Sequence, residues 1–457
     1  MTIVESNETV TGQGRSNFSA RLKTDFLKKW DDHVHKIVKI ADKVAQKKGT
    51  MGGKESLGSV ATALPQSAGI ALQEGMTLPT PDAGSYISPY LHARDLYMRL
   101  RWTGQVERAA RRGDKHAWAQ PRKEDIKNAT AQFQINFARM LYLGRYQVLG
   151  TVSAFNGTTT ATLYGRDART SAAADFWKFG THYLRVGQEL DFTASSITGA
   201  PVIQADTTNE STLKITSIDN STPSAPTVTF DNDPIADLTA SDPADGSFLI
   251  PYNSRQDAVS DVTMSSYFSG VSGVLEYASD VNLYSAVYDI DRAAGDTISG
   301  VHNKNSGVVR SFDENLISLV VDQVVDNGVG EEPDCLAMHS SVRREYVKQT
   351  QGDRRFAPVQ KDRGYAGRLM FHAGDAELPI MTDRDCPPGL AFVLCSKDWG
   401  WLSQSDMGSP DSTGERFVAD QDAREVVMHK SGNCYCEKPF NQGIIDDIQY
   451  DTDALTA

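Results

Sequence analysis

The chain has 457 residues and a mass of 50.0 kDa, enough for two or three domains with sizeable cores. Its 40% hydrophobic and 23% charged residues are an ordinary balance for a folded chain and argue against disorder. No apolar run approaches the ~18–20 residues that cross a bilayer, and Met1–Glu8 has neither the basic start nor the apolar core of a signal peptide, so no membrane partner and a cytosolic origin are expected. The net charge of −13 is unevenly spread. Residues 1–150 hold 23 Lys and Arg against 14 Asp and Glu, a net of +9, and the remainder holds 23 against 45, a net of −22. Such asymmetry points to a basic part that meets something acidic, either another copy of the chain or nucleic acid.

In chain order, residues 1–17 are polar and read as an arm. Phe18, Leu22, Phe26, Trp30, Val34, Ile37, Ala41 and Val44 then recur at helical spacing, and the other face carries Lys23, Lys28, Lys29, Lys36, Lys39, Lys43, Lys47 and Lys48. This predicts an amphipathic helix over 18–48 that stops at Gly49. Residues 50–90 read as an extended connection. Leu96, Met98, Leu100 and Trp102 alternate with Tyr97, Arg99 and Arg101, which predicts a strand with one apolar and one basic face. Pro121 opens a long helix with the stripe Ile126, Ala129, Phe133, Phe137, Met140, Leu141, Gly144 and Val148. From 151 to 260 charge drops and short β-type runs appear at Thr160–Tyr164, Leu213–Ile218, Thr227–Phe230 and Phe248–Ile250, separated by Asp/Asn/Pro turns. They predict a small sandwich or barrel, opened by Leu184–Phe192. After residue 300 the pattern is α/β. Ser311-Phe-Asp-Glu314 reads as a capping box before Leu316, Ile317, Val320, Val321 and Val324, and Ser340 as the cap of a second helix. Strands dominate 367–402 and 424–450.

Residue patterns that carry chemistry are missing. There is no phosphate-loop Gly-x-x-x-x-Gly-Lys, no Gly-x-Gly-x-x-Gly after a strand, no His-Glu-x-x-His and no Gly-x-Ser-x-Gly. His339 beside Ser340 and Ser341 reads as structural, at a strand end before a helix. Cys335, Cys386, Cys395, Cys434 and Cys436 are too few and too irregular for a disulfide framework. Cys434-Tyr-Cys436 with His429 falls short of the about four ligands of a zinc site. Asp383/Asp385 and Asp446/Asp447 read as turn chemistry before they read as cation ligands. The chain therefore reads as a non-enzyme with no cofactor and no metal.

The order of short motifs is more telling. Leu378-Pro-Ile-Met-Thr-Asp383 is followed by the Pro387-Pro-Gly389 turn and by Phe392-Val-Leu394 with Trp399 and Trp401. This resembles the C-terminal half of tailed-bacteriophage major capsid proteins. Trp102-Thr-Gly104, Asn136-Phe-Ala-Arg-Met-Leu-Tyr-Leu-Gly144, Val186-Gly-Gln188, Pro333-Asp-Cys-Leu336, Arg354-Arg-Phe356 with Gly364-Tyr-Ala-Gly-Arg-Leu369, and Pro439-Phe-Asn-Gln-Gly443 resemble that family's motifs in the same order, over roughly 90–450. Leu143 and Arg145 around a single Gly144 depart from its pattern.

The resemblance implies an α+β, Hong Kong 97-like capsid fold. Its parts would be an N-terminal arm (1–59), an extended β-hairpin loop (60–120), the spine helix of a peripheral domain (121–150), a β-rich insertion (151–260), a mainly axial α/β domain (261–415) and closing peripheral strands (416–457). It also implies a structural function: hexamers and pentamers of one chain building an icosahedral phage head, a virion particle assembled in the host cytoplasm around double-stranded DNA. The implied partners are the chain itself, a portal, scaffolding and decoration proteins, and packaged DNA bound without sequence preference. Arg99, Arg101, Arg108, Arg111 and Arg112 of the loop would meet acidic surface on a neighbour. Lys23, Lys28, Lys29, Lys36, Lys39 and Lys43 would line the inner face. A shell of a cellular nanocompartment or another virion part, such as tail or baseplate, are the alternatives, with a metal enzyme built on His429, Cys434 and Cys436 further off.

Overall fold

The computed structural model describes residues 39–44, 47–52, 55–57, 60–63, 83, 85–104, 121–143, 148–156, 159–165, 180–193, 213–222, 224–231, 246–251, 271, 286–287, 290–291, 300–306, 308–327, 332–350, 370–373, 376–408, 416–418 and 422–450. In chain order the principal elements are α1 (Lys39–Val44), β1 (Lys47–Thr50), β2 (Arg94–Thr103) and α2 (Pro121–Leu143). Next come β3 (Gly150–Phe155), β4 (Thr160–Leu163), β5 (Glu189–Thr193), β6 (Leu213–Asp219), β7 (Thr227–Phe230) and β8 (Phe248–Pro251). Then follow β9 (Val301–Asn303), α3 (Glu314–Asn327), β10 (Cys335–Met338), α4 (Ser340–Thr350), β11 (Met370–Ala373), β12 (Ala376–Thr382) and β13 (Ala391–Leu394). The closing strands are β14 (Trp399–Gly408), β15 (Arg416–Phe417), β16 (Ala423–Cys436) and β17 (Gly443–Ile445).

A long sheet is built on β16. β14 and β15 lie end to end along one side of it, β1 adds to β14 in parallel, and β2 runs antiparallel along the other side. The period of two in β2 sends Leu96, Met98 and Leu100 onto Ala129 and Phe133 of α2, together with Met428. At its end the buried Trp102 indole donates to Asp125 at 3.2 Å. Lys430, on this same face, holds its ammonium 3.9 Å from the Phe137 ring centre and 4.8 Å from that of Trp401, so its charge is offset by two aromatic faces. Between β1 and β2, Glu55–Leu57 pairs with Tyr90–His92 and Val60–Ala63 with Ser85–Ile87, which makes the approach to β2 a narrow ladder.

Six strands between residues 150 and 251 form a closed antiparallel barrel in the order β6-β7-β4-β3-β8-β5. Closure leaves no strand edge to protect, and Val152, Leu163, Leu190, Phe192, Ile215, Val228, Phe230 and Phe248 fill it. A mixed sheet, order β9-β17-β13-β10-β12-β11, completes the fold. Both its faces are covered, so β10 and β13 are buried at every position. One face packs under α3 and α4 through Ile317, Val320, Val321, Val324, Val342 and Tyr346. The other shares a cluster with the end of α2 and the barrel, through Ala337, Phe392, Leu394 and Ile444. Each fully buried side chain of this size contributes about 1.5–3 kcal/mol.

The expected elements and the structure differ at six places. The long helix does not reach Val148: α2 ends at Leu143, and Val148 and Leu149 are not helical. Helix does not run to Lys48: α1 ends at Val44, and Lys47–Thr50 is a strand. Pairing with β14 overrides helical propensity there, and a Cβ at Gly49 would lie 2.5 Å from Leu402 Cδ2, so that side chain would have to move. Residues 18–38 lie outside the described residues. The 50–90 connection contains the paired strands just described. The barrel opens with β3, whose Thr151–Phe155 had no clear alternation, while Leu184–Gln188 is turn. Asp313, not Ser311, caps α3, its carboxylate accepting the Leu316 N–H at 2.8 Å, and Glu314 accepts the Tyr346 hydroxyl instead. His339, not Ser340, caps α4: its Nδ1 accepts the Ser341 N–H at 3.2 Å.

Candidate assembly surfaces

The outward face of β2 carries Asp95, Tyr97, Arg99 and Arg101. Arg99 donates to Glu425 of its own chain, Nε to Oε2 at 2.8 Å, yet its side chain stays 63% exposed. Arg101 sits opposite Glu425 in the register. Tyr97 stacks on His429 at 4.7 Å, and His429 Nε2 lies 3.0 Å from Asp95 Oδ1. Burial works against the Asp95 charge, but hydrogen bonds from Ser431 and His429 hold its carboxyl below the usual value. Tyr86 and Tyr90, on the ladder leading to β2, are exposed as well. Arg108, Arg111 and Arg112 lie outside the described residues. His429 is thereby engaged by Tyr97 and Asp95.

Two lysines of the arm dock it to the rest of the chain. Lys43 lies 3.6 Å from Asp334, whose carboxylate also accepts the Ser396 N–H at 2.8 Å and the Ser396 hydroxyl. Lys47 pairs with Glu437, and that hydrogen bond raises the Lys47 pKa. Lys39 starts α1; Lys23, Lys28, Lys29 and Lys36 lie outside the described residues.

A buried polar junction joins α2, the segment 180–185 that leads into β5, and the turn after β12. The Tyr142 hydroxyl donates to Asp383 at 3.1 Å, and Asp383 also accepts the Asp385 N–H. Arg139, 5% exposed, lies 3.8 Å from Asp385. Burial lowers the Arg139 pKa to about 10, with Asp385 acting in the other direction, and burial raises that of Asp385 despite Arg139. The Tyr183 hydroxyl donates to the Asp385 carbonyl at 3.0 Å, and His182 Nε2 donates to the Arg384 carbonyl at 3.0 Å. His182 meets His339 edge to face at 4.8 Å. The Ser341 hydroxyl and N–H both donate to His339 Nδ1, which places the His339 proton on Nε2.

A second buried network closes the mixed sheet onto β14. Gln442 Oε1 accepts the Cys395 N–H at 2.8 Å and the Trp399 indole at 2.9 Å, while Asn441 donates to Asp398 at 3.0 Å. Asp446 and Asp447 organise the last turn, Asp447 accepting the Asn305 N–H at 2.8 Å. Both acidic pairs are thus engaged in the chain's own hydrogen bonds. Burial pushes the Cys434 and Cys436 thiols upward, which keeps them protonated. Among the described residues no group of three or more His, Cys, Asp or Glu is placed to hold a metal, and no helix is long and apolar enough to cross a membrane. Arg139, Tyr142 and Gln442 carry no signal of their own in the sequence; only the motifs around Gly144 and Gly443 enclose them.

No protein-family model matches the sequence, and no curated protein matches it. Solved structures do. The chain superposes on a chain of the Cyanophage A-1(L) capsid asymmetric unit with a TM-score of 0.51 and 9% identity, covering 93% of this chain and 96% of that one. The capsid of a native GTA particle gives 0.47 at 8% identity, covering 96% and 99%, and Mycobacterium phage Bobi gives 0.42 at 9%, covering 96% and 99%. At such identity the likeness establishes the fold alone, and the cyanophage superposition carries it. The chain has the α+β, Hong Kong 97-like fold of phage capsid proteins.

Proposed function

We propose that this chain is a major capsid protein, whose copies form hexamers and pentamers of an icosahedral phage head around double-stranded DNA. The observation that carries the reading is a capsid-protein fold matched over 93% of the chain. Its role is structural, not catalytic. In this proposal the parts are an arm (1–59), an extended loop (60–120), a spine (121–150), an insertion (151–260), a mainly axial domain (261–415) and closing strands (416–457).

In this reading the ladder that leads to β2 reaches over an adjacent copy. Arg99, Arg101, Arg108, Arg111 and Arg112 bring positive charge to the acidic remainder of a neighbour. Exposed Tyr86, Tyr90 and Tyr97 favour the reading, because Tyr and Arg are the side chains enriched in interfaces. The arm follows the inner face. Lys43 and Lys47 anchor it to its own subunit, which leaves Lys23, Lys28, Lys29, Lys36 and Lys39 as the lysines offered to packaged DNA without sequence preference. The barrel projects outward or braces neighbours, and it is the surface on which a decoration protein would sit. Portal and scaffolding proteins are the other partners, and the virion, assembled in the host cytoplasm, is the location. The test is expression of the chain alone and with its scaffolding protein, followed by sizing and negative-stain electron microscopy. Closed shells or rings of five and six are expected; a strict monomer at high concentration under both conditions refutes the reading.

A further inference from the structure

The junction of α2, the segment 180–185 and the turn after β12 gathers three arginines. The Tyr183 hydroxyl on the Asp385 carbonyl and His182 Nε2 on the Arg384 carbonyl lay 182–185 against 383–385. Arg185 and Arg384 thereby come within electrostatic reach of Arg139 on α2. Burial is the largest cause of the lowered Arg139 and Arg185 pKa values; Arg384 lowers both further, and Arg185 lowers that of Arg139. The three are graded in depth: Arg139 is 5% exposed, Arg384 is half-buried and Arg185 is exposed at the rim.

The negative charge at this junction does not match. Among the described residues its carboxylates are Asp383 and Asp385. Asp383 already accepts the Tyr142 hydroxyl and the Asp385 N–H, both at 3.1 Å. Asp385 lies 3.8 Å from Arg139 Nε, an ion pair too long for a hydrogen bond, and that buried Nε has no acceptor. Arg185 donates Nη1 to the carbonyls of its own turn, His182 at 3.2 Å and Leu184 at 2.7 Å, which neutralises none of its charge. A guanidinium held in such a place without an acceptor is costly, and a bound anion removes the cost.

We propose that Arg139, Arg185 and Arg384 form a binding site for a phosphate-class oxyanion, a tetrahedral dianion that ties α2, the entry to β5 and the turn after β12 together. Its oxygens point in different directions and accept from guanidinium forks on three separate elements, whereas a planar carboxylate offers two oxygens in one plane. It supplies the acceptor that Arg139 Nε lacks and offsets the surplus of positive charge. The site uses none of the residues assigned to assembly, so it stands or falls apart from the capsid reading.

The experiment titrates the purified full chain with inorganic phosphate up to about 20 mM, against chloride at constant ionic strength, in a buffer free of other oxyanions. That range lies below the concentrations at which phosphate stabilises proteins by exclusion from their surface. Binding is read by isothermal titration calorimetry and by thermal melting. Phosphate is expected to bind at one site per chain and to raise the melting temperature saturably, by about 2–4 °C at ten times its Kd. Arg384→Gln and Arg185→Gln are each expected to weaken binding about tenfold or more. Lys397→Gln, the loss of an exposed lysine outside the junction, is expected to leave it within about twofold. Arg139→Gln strands the buried Asp385 and is liable to unfold, so the two outer arginines decide the matter. Dimethyl phosphate, the monoanionic diester of a nucleic-acid backbone, is expected to bind about tenfold more weakly than phosphate; equal binding overturns the dianion assignment. Phosphate no different from chloride, or binding unchanged in both outer variants, overturns the site.

Discussion

Gln442 is fully buried and holds two donors from different elements, the Cys395 backbone N–H and the Trp399 indole. Gln442→Met keeps nearly the same volume, so the cavity contribution is small. What is lost is the acceptor. Two buried donors are then left without a partner, at about 1–3 kcal/mol each, for a total of about 2–6 kcal/mol. The amide's own donations, at 3.4 Å to Cys395 and Asp398, are long and add little. In a cooperative unit of this size such a loss lowers the melting temperature by on the order of 5–15 °C. Tryptophan fluorescence is the suitable readout, because Trp399 lies in the network. A melting point within about 2 °C of the unmodified chain would show that the network does not hold the mixed sheet to the long sheet.

Other expectations follow from the same geometry. Burial, and then His339, Arg185 and Arg139, hold the His182 imidazole well below its ordinary pKa of 6.5. Its contribution is therefore complete above that pH and declines as the pH falls below it, because the unfolded chain takes up a proton that the folded junction refuses, at up to about 1.4 kcal/mol per pH unit. Thermal melts at pH 5–7 should show this slope, and His182→Gln should flatten it; equal slopes contradict the assignment. Reversing Arg99, Arg101, Arg111 and Arg112 to Glu should stop shell formation while the circular dichroism of the subunit stays unchanged, and normal shells would remove the loop from the interface. A 151–260 fragment should give the dispersed amide spectrum of a closed barrel; a collapsed spectrum would show that the barrel needs α2 and the mixed sheet to fold.

What could be read from the sequence was local. The alternation of Leu96, Met98 and Leu100 with Tyr97 and Arg99 marks a strand because one face of β2 is buried and the other is not. The stripe of α2 and its opening Pro121 mark a helix for the same reason. β10 and β13 are buried on both faces, so they show only as short apolar runs. Tertiary pairing was harder to foresee. Lys47–Thr50 has no strand character of its own and becomes β1 only because β14 offers an edge. The polar junctions were invisible for a related reason: Arg139 and Asp385, or Gln442 and Trp399, are far apart in sequence and become partners only once the elements are packed. His339, read as structural beside two serines, proves to be a helix cap. The motif order around Asp383 and Gly443 pointed to the architecture even though its residues act through packing and not through chemistry.

The central claim is that this chain builds a closed shell, and the most direct test is cryo-electron microscopy of the purified particle at a resolution that traces the backbone. The account predicts rings of five and six copies closed into an icosahedral head, with the ladder before β2 crossing a neighbouring subunit. Tubes, plates or isolated subunits, or a β2 ladder folded back on its own copy, would contradict it.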